Sequence, residues 1–174
     1  LFPVEPSLRA MALALYDSVA GLPIISPHGH CDPRWFAENQ RFPNPAELFV
    51  IPDHYVFRML VSQGVNMADL GVPRVDGGPV ETDPRAIWRL FAAHQHLFRA
   101  TPSAMWLAHA FSEVFGMADP LSAENADMYY DRIDEMLGQD EFRPRALFER
   151  FGVEVLATTE GALDDLAWHR QIAD

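Results

Sequence analysis

The stretch PIISPHGHCDP, residues Pro23–Pro33, places two histidines at the end of a short apolar run. The run Leu22–Ser26 follows Gly21 and precedes a cluster of proline and glycine, which predicts a short β-strand. Alternate residues of a strand point to the same face. We therefore expect His28 and His30 to project side by side at the C-terminal end of this strand. Neutral imidazole is a common ligand for zinc and related metals, so the pair suits half of a metal site.

The residues alone leave a second interpretation open for this pair. Two histidines in a polar turn can be hydrogen-bonded to nearby carbonyls, and two imidazoles are fewer than the three protein ligands of a usual catalytic zinc site. Another His-x-His, His94 and His96, lies inside a predicted helix, where residues i and i+2 do not face each other. We expect those two histidines to be solvated or at the edge of the core.

Composition narrows the classes of function. The 174 residues are 49% hydrophobic and have a formal net charge of −12, which predicts a folded protein and argues against binding to nucleic acid or anionic membranes. The sequence has no apolar run of about 18 residues and no visible signal peptide. The single cysteine, Cys31, excludes an internal disulfide. The absence of disulfides fits a reducing cytoplasm, where we expect this protein to be.

The predicted elements run in the order helix, strand, long helical stretch, strand, helix. Residues Ser7–Gly21 have helical spacing with Ser7 as the expected N-cap, and Val153–Glu160 is the second strand. Because two strands do not make a stable sheet alone, we expect the chain to be the N-terminal portion of a longer α/β protein. The expected divisions are residues 1–33 (helix and first strand), 34–150 (a helical insertion) and 151–174 (second strand and the start of a helix).

The chain resembles the uronate isomerase (glucuronate isomerase) family of the amidohydrolase superfamily. The blocks that carry the resemblance are PIISPHGHCDP, AENQRF (Ala37–Phe42), PDHYVFRMLVSQGV (Pro52–Val65), LFRATPSAMWLAHAFSEVFG (Leu97–Gly116) and VEVLATTE. The resemblance implies a distorted (β/α)8 TIM-like barrel with a large helical insertion after its first strand. It also implies that the remaining strands lie beyond residue 174. Glu160 stands where the family often has Asp, and we assign it no role.

The resemblance further implies a reaction and its residues. His28 and His30 would bind a divalent metal, usually zinc, while His54 and Tyr55 would be catalytic residues lining the substrate site. The family interconverts aldose and ketose hexuronates, such as D-glucuronate and D-fructuronate or D-galacturonate and D-tagaturonate, by moving a proton between C2 and C1. Tyr55 can donate or accept a hydrogen bond, and His54 would orient the substrate or the tyrosine. A homo-oligomer is expected.

Several alternatives stay open at this stage. Without the resemblance, Tyr55 is interpreted as an aromatic residue packing on the core and His54 as a surface residue of a helix start. His109 and His169 lie on predicted helices and are interpreted as structural, and Cys31 as a small buried residue. The alternative functions are metal-dependent hydrolysis of an amide or ester on the same barrel, and a non-catalytic helical binding module.

Overall fold

The computed structural model describes residues 2–173, which divide into two compact units. The sheet unit combines the residues up to Gln40 with those from Pro144 onward, and the helical unit comprises Arg41–Arg143. Within residues 2–173, no helix has both the length and the apolar character needed to cross a membrane.

Nine α-helices and two short strands make up the regular structure of the described residues. In chain order they are α1 (Pro6–Asp17), β1 (Ile24–Ser26), α2 (Pro33–Glu38), α3 (Pro45–Phe49), α4 (His54–Ser62), α5 (Pro84–Ala93), α6 (Pro102–His109), α7 (Ala126–Leu137), α8 (Pro144–Arg150), β2 (Val153–Leu156) and α9 (Ala167–Ala173). Short 3-10 turns cover Met67–Leu70, Gln95–Phe98 and Asp140–Phe142, and a π-helical turn, Ala110–Val114, continues α6. The predicted order of helices and strands is confirmed.

The first helix starts differently from the prediction. Glu5, rather than Ser7, is the N-cap, because its carboxylate accepts hydrogen bonds from the backbone N–H groups of Ser7 and Leu8 at 3.0 and 2.7 Å. Pro6 then occupies the first helical position, where its missing N–H costs nothing. The helix also ends at Asp17, before the predicted Gly21.

The two strands are parallel neighbours, with Ile24 opposite Val153 and Ser26 opposite Leu156. The Ala157 N–H donates to the Ser26 carbonyl at 2.9 Å. The residue after the first strand, Pro27, has no N–H to continue the ladder, and β1 ends at Ser26 as predicted but begins two residues later, at Ile24. β2 ends at Leu156, before the polar residues of the predicted strand.

Arg145, near the start of α8, holds α2 in the sheet unit. Its guanidinium donates to the carbonyls of Phe36 and Ala37 at 2.7 and 3.3 Å. Its backbone N–H donates to the Asn39 side chain at 3.1 Å. These bonds satisfy carbonyls at the C-terminal end of α2, which would otherwise lack partners.

The helical unit is built around α5. The Trp88 side chain is fully buried, and its indole N–H donates to the Ala126 carbonyl at 2.9 Å, at the start of α7. On the exposed side of α5, Arg85 and Arg89 form ion pairs with Asp131 and Asp127 of α7. The largest fully buried side chains of the described residues all lie in this unit: Trp88, Tyr129, Phe91, Phe98, Leu60, Leu70, Ile87, Leu107, Ile133, Leu137, Val50 and Val56.

The predicted helix through His94 and His96 is divided in the structure. Helix α5 ends at Ala93, and His96 lies in the following 3-10 turn. A ring nitrogen of His94, Nδ1, lies 2.7 Å from the Leu90 carbonyl oxygen. His94 is half-buried and His96 is exposed, as expected for histidines at the edge of a core.

Candidate functional site

The His-Gly-His segment forms a loop directly after β1. At its start, the Ser26 hydroxyl donates to the His28 carbonyl at 3.1 Å. At its end, the Asp32 carboxylate accepts from the Arg34 N–H at 2.9 Å and caps α2. A strand end and a helix start therefore hold the loop on either side of the two imidazoles.

The two imidazoles lie against each other. The Nε2 atoms of His28 and His30 are 3.0 Å apart, and the ring centroids are 4.9 Å apart with the planes at 78°. Both side chains are exposed. The structure therefore brings these predicted ligands together, although they lie in the loop after the strand rather than on the strand itself.

The spacing of the two nitrogens is compatible with a shared cation. Zinc–nitrogen bonds are about 2.0–2.1 Å long, so two nitrogens on one zinc are about 3 to 3.4 Å apart. The measured separation between His28 and His30 is 3.0 Å. It also suits a direct imidazole–imidazole hydrogen bond, in which one Nε2–H donates to the other Nε2. Residues 2–173 contain no cluster of three or more potential metal-binding side chains, so the pair by itself supplies two ligands.

Cys31 lies next to the pair. Its side chain is half-buried, and burial raises the pKa of the thiol above its usual value. The two imidazoles, with their Nε2 atoms 3.0 Å apart, are the candidate ligands of this loop.

Gly29, between the two imidazoles, lies against the end of β2. A Cβ atom at this position would lie 2.8 Å from the Ala157 carbonyl oxygen and 3.2 Å from Leu156 Cδ1. The first distance is shorter than real Cβ contacts allow. Glycine is therefore required here because a neighbouring backbone approaches closely.

His54 and Tyr55 are the first two residues of α4, in the helical unit. Asp53 caps this helix, since its carboxylate accepts from the N–H groups of Tyr55 and Val56 at 2.8 and 3.2 Å. The rings of His54 and Tyr55 are 4.3 Å apart between centroids, with their planes at 33°. Tyr55 is 61% exposed, which does not fit an aromatic residue packed in the core, and His54 is half-buried.

A polar cluster after β2 was not predicted. The Thr158 hydroxyl lies 2.9 Å from Glu160 Oε2 and 2.8 Å from His169 Nε2, and that nitrogen is 3.5 Å from Glu160 Oε1. The next residue, Thr159, donates from its hydroxyl to the Gly29 carbonyl at 2.8 Å. The signal that could have revealed this cluster is a run of polar residues, Thr-Thr-Glu, just beyond the end of a parallel strand.

The sequence matches a known family along nearly its whole length. The model of the family described as glucuronate isomerase covers residues 7–174. A curated relative from Mesorhizobium japonicum, named uronate isomerase, is 58% identical over the whole chain, and one of the same name from Rhizobium meliloti is 55% identical. The chain spans 37% of the length of each of these relatives.

Solved structures agree with this match. The crystal structure of glucuronate isomerase from Caulobacter crescentus superposes with a TM-score of 0.92 at 55% identity, over 98% of this chain and 35% of that one. A uronate isomerase from Thermotoga maritima superposes with a TM-score of 0.79 over 94% of this chain and 34% of that one, and its 24% identity shows likeness of fold alone. The chain belongs to the glucuronate isomerase family.

Proposed function

We propose that the full-length protein is a uronate isomerase, which interconverts aldose and ketose hexuronates. The proposal is supported by membership of the glucuronate isomerase family and by relatives that are named uronate isomerase. The observation that carries it is the paired imidazoles, with Nε2 atoms 3.0 Å apart directly after a parallel strand. This chain spans 37% of such relatives, so the activity is proposed for the whole protein.

The proposed fold of that protein is a distorted (β/α)8 barrel with a helical insertion after its first strand. Ile24, Ile25 and Val155 of the two strands are 48%, 63% and 47% exposed. Parallel strands are normally covered on both faces, and further strands and helices of a barrel would cover these side chains. Barrel enzymes carry their chemistry at the C-terminal ends of the strands. The His-Gly-His loop follows that end of β1, and the Thr-Thr-Glu segment follows that end of β2.

His28 and His30 would hold a divalent cation, zinc by preference, through their Nε2 atoms. When bound, such a cation supplies Lewis-acid stabilisation of negative charge on a substrate oxygen. Imidazole suits zinc as it suits copper, iron and nickel, and zinc is the metal that the family resemblance implies. A complete site needs at least one more protein ligand, which the proposed barrel would provide from another strand.

Moving a proton between C2 and C1 requires a group that accepts a proton and a group that donates one. The exposed Tyr55 hydroxyl would form a hydrogen bond to the reacting end of the sugar or exchange a proton with it. His54, whose ring centroid is 4.3 Å from that of Tyr55, would orient the tyrosine or a sugar hydroxyl. The cap on α4 fixes the backbone of Tyr55 through the 2.8 Å bond to Asp53.

The proposed setting is a homo-oligomer in the cytoplasm that acts on a small anionic sugar. The formal net charge of −12 supports the exclusion of nucleic acid as a partner, because nucleic-acid sites need basic patches.

The test is an assay of the full-length protein with D-glucuronate and D-galacturonate, alongside a panel of amides and esters. We expect the ketose product, measured by NMR of the sugar, and no hydrolysis of the panel. Hydrolysis without isomerisation would replace this proposal with the metal-dependent hydrolase. Absence of both activities in folded, metal-supplemented protein would overturn it.

A further inference from the structure

We propose that Thr159 is a positioning residue for the two metal-binding imidazoles, and this inference rests on the metal site proposed above. Thr159 follows β2, and its hydroxyl donates to the carbonyl of Gly29 at 2.8 Å. Gly29 is the residue between His28 and His30, so this bond acts on the peptide that joins the two candidate ligands. The two partners are 130 positions apart in the chain.

A second contact holds the same segment from the β2 side. The Ala157 carbonyl oxygen lies 2.8 Å from the position that a Cβ of Gly29 would occupy. The Ala157 N–H also donates to the Ser26 carbonyl at 2.9 Å, just before the loop. The backbone of the loop is therefore in close contact with β2 at residue 157 and hydrogen-bonded to Thr159. Both contacts restrict how far Gly29 can move.

The segment that carries Thr159 is itself anchored to α9. The Thr158 hydroxyl is within hydrogen-bond distance of Glu160 Oε2 and His169 Nε2, at 2.9 and 2.8 Å. His169 lies on α9, and its Nε2 is 3.5 Å from Glu160 Oε1. Thr159 therefore makes its bond from a segment whose neighbouring residue, Thr158, contacts α9.

The consequence is preorganisation of the imidazole pair. Both histidines are exposed, so packing alone does little to fix their backbone. Without the bond from Thr159, the peptide around Gly29 could rotate and separate the Nε2 atoms, and metal binding would then have to restore their 3.0 Å spacing. Loss of outer contacts that orient metal ligands typically weakens metal binding by about 10–100-fold.

The experiment measures the affinity of the metal-free full-length protein for Co2+, by competition with a chromogenic chelator, together with the visible spectrum of bound Co2+. Thr159→Val removes the donor and keeps the shape, and we expect it to weaken binding by about 10-fold or more and to alter the spectrum. Thr159→Ser keeps the hydroxyl and should bind like the wild type. Thr82→Val is the matched control, because it removes the hydroxyl of an exposed threonine just before α5, and it should bind Co2+ like the wild type.

The outcomes separate this inference from the proposed function. Wild-type protein that binds Co2+ and isomerises uronates, with Thr159→Val binding equally well, would overturn the role of Thr159 alone. Equal losses in Thr82→Val and Thr159→Val would also overturn it, because the effect would then not depend on the bond to Gly29. Wild-type protein that binds no Co2+ would overturn the metal site and this inference together. If Thr159→Val is poorly folded by circular dichroism, Thr159→Ala removes the same donor without adding bulk, and the same expectations apply to it.

Discussion

The helical unit and the sheet unit place their apolar side chains differently. In the helical unit, Trp88 and Ile133 are fully buried. In the sheet unit, Leu15 of α1 is 65% exposed, and Ala37 and Pro144 are the only buried residues among those described there. The helical unit thus has its own core, and the sheet unit does not. The candidate metal ligands, His28 and His30, lie in the sheet unit, which is the less stabilised of the two by its own packing.

This difference indicates that the helical unit supplies most of the folding stability, whereas the sheet unit carries the candidate metal ligands. Buried apolar area is the main source of folding free energy, so the helical unit should determine the stability of this chain. The exposed apolar side chains of α1, β1 and β2 support the proposal that further barrel elements pack on them. The loop that carries the two imidazoles is held by hydrogen bonds, by the N-cap of α2 and by the close approach of the Ala157 carbonyl to Gly29. It is not held by packing in an apolar core.

The strongest test of the difference compares one large side chain from each unit. Trp88→Ala should lower the free energy of unfolding of the 174-residue chain by about 3–5 kcal/mol, because it leaves a cavity in the core. Leu15→Ala should change it by less than about 0.5 kcal/mol, since that side chain is already exposed. Urea unfolding followed by circular dichroism measures both. Similar losses in the two variants would show that the sheet unit has a core of its own.

A substitution at Tyr55, in the helical unit, should change the activity of the full-length protein without changing its stability. In the full-length protein, Tyr55→Phe should lower the turnover of uronate by a factor on the order of 100, because a hydroxyl that takes part in proton transfer is lost. The unfolding midpoint should stay nearly constant, since the side chain is 61% exposed. Tyr16→Phe on α1 is the control and should leave both quantities unchanged. Wild-type turnover in Tyr55→Phe would remove Tyr55 from the reaction.

The smallest expected effect concerns acid stability of the helical unit. Hydrogen bonds from Arg89, at 2.8 and 3.0 Å, hold the pKa of Asp127 below its usual value of 3.8. Such a carboxyl stabilises the folded chain above the pKa of the unfolded chain, and this stabilisation is lost as the pH falls through the folded pKa. The melting temperature of the wild type should therefore fall more steeply below pH 3.8 than that of Asp127→Asn.

The control for the acid experiment removes the other partner of the ion pair. Arg89→Gln takes away the hydrogen bonds that lower the pKa of Asp127 and should flatten the slope as Asp127→Asn does. Equal slopes for the wild type and Asp127→Asn would show that the ion pairs between α5 and α7 are fully screened by solvent.

Much of the fold could be predicted because its signals are local. Strand and helix periodicity gave the order of the elements, and the two-residue spacing of His28 and His30 predicted that their side chains lie together. The predicted N-cap of α1 was wrong because Glu5 caps the N–H groups of Ser7 and Leu8 and so starts the helix two residues earlier, and the Ser7 hydroxyl donates to the Glu5 carboxylate. Caps are decided by small differences between neighbouring acceptors, which a pattern does not resolve.

The contact between Thr159 and Gly29 could not be predicted in the same way. It depends on the parallel register of β1 and β2, in which Ser26 lies opposite Leu156. No local pattern sets the register of strands that are separated by more than a hundred residues. The need for glycine at position 29 arises from the same register, because it brings the Ala157 carbonyl to the loop.

The central claim is that the imidazoles of His28 and His30 bind a divalent metal that the isomerase reaction requires. The most direct measurement is the metal content per chain, together with uronate turnover, of full-length wild type, His28→Ala, His30→Ala and the exposed control His109→Ala. We predict about one divalent ion per chain with isomerase activity in the wild type and in His109→Ala, and loss of both in the other two variants. Unchanged metal content and turnover in His28→Ala and His30→Ala would contradict the claim.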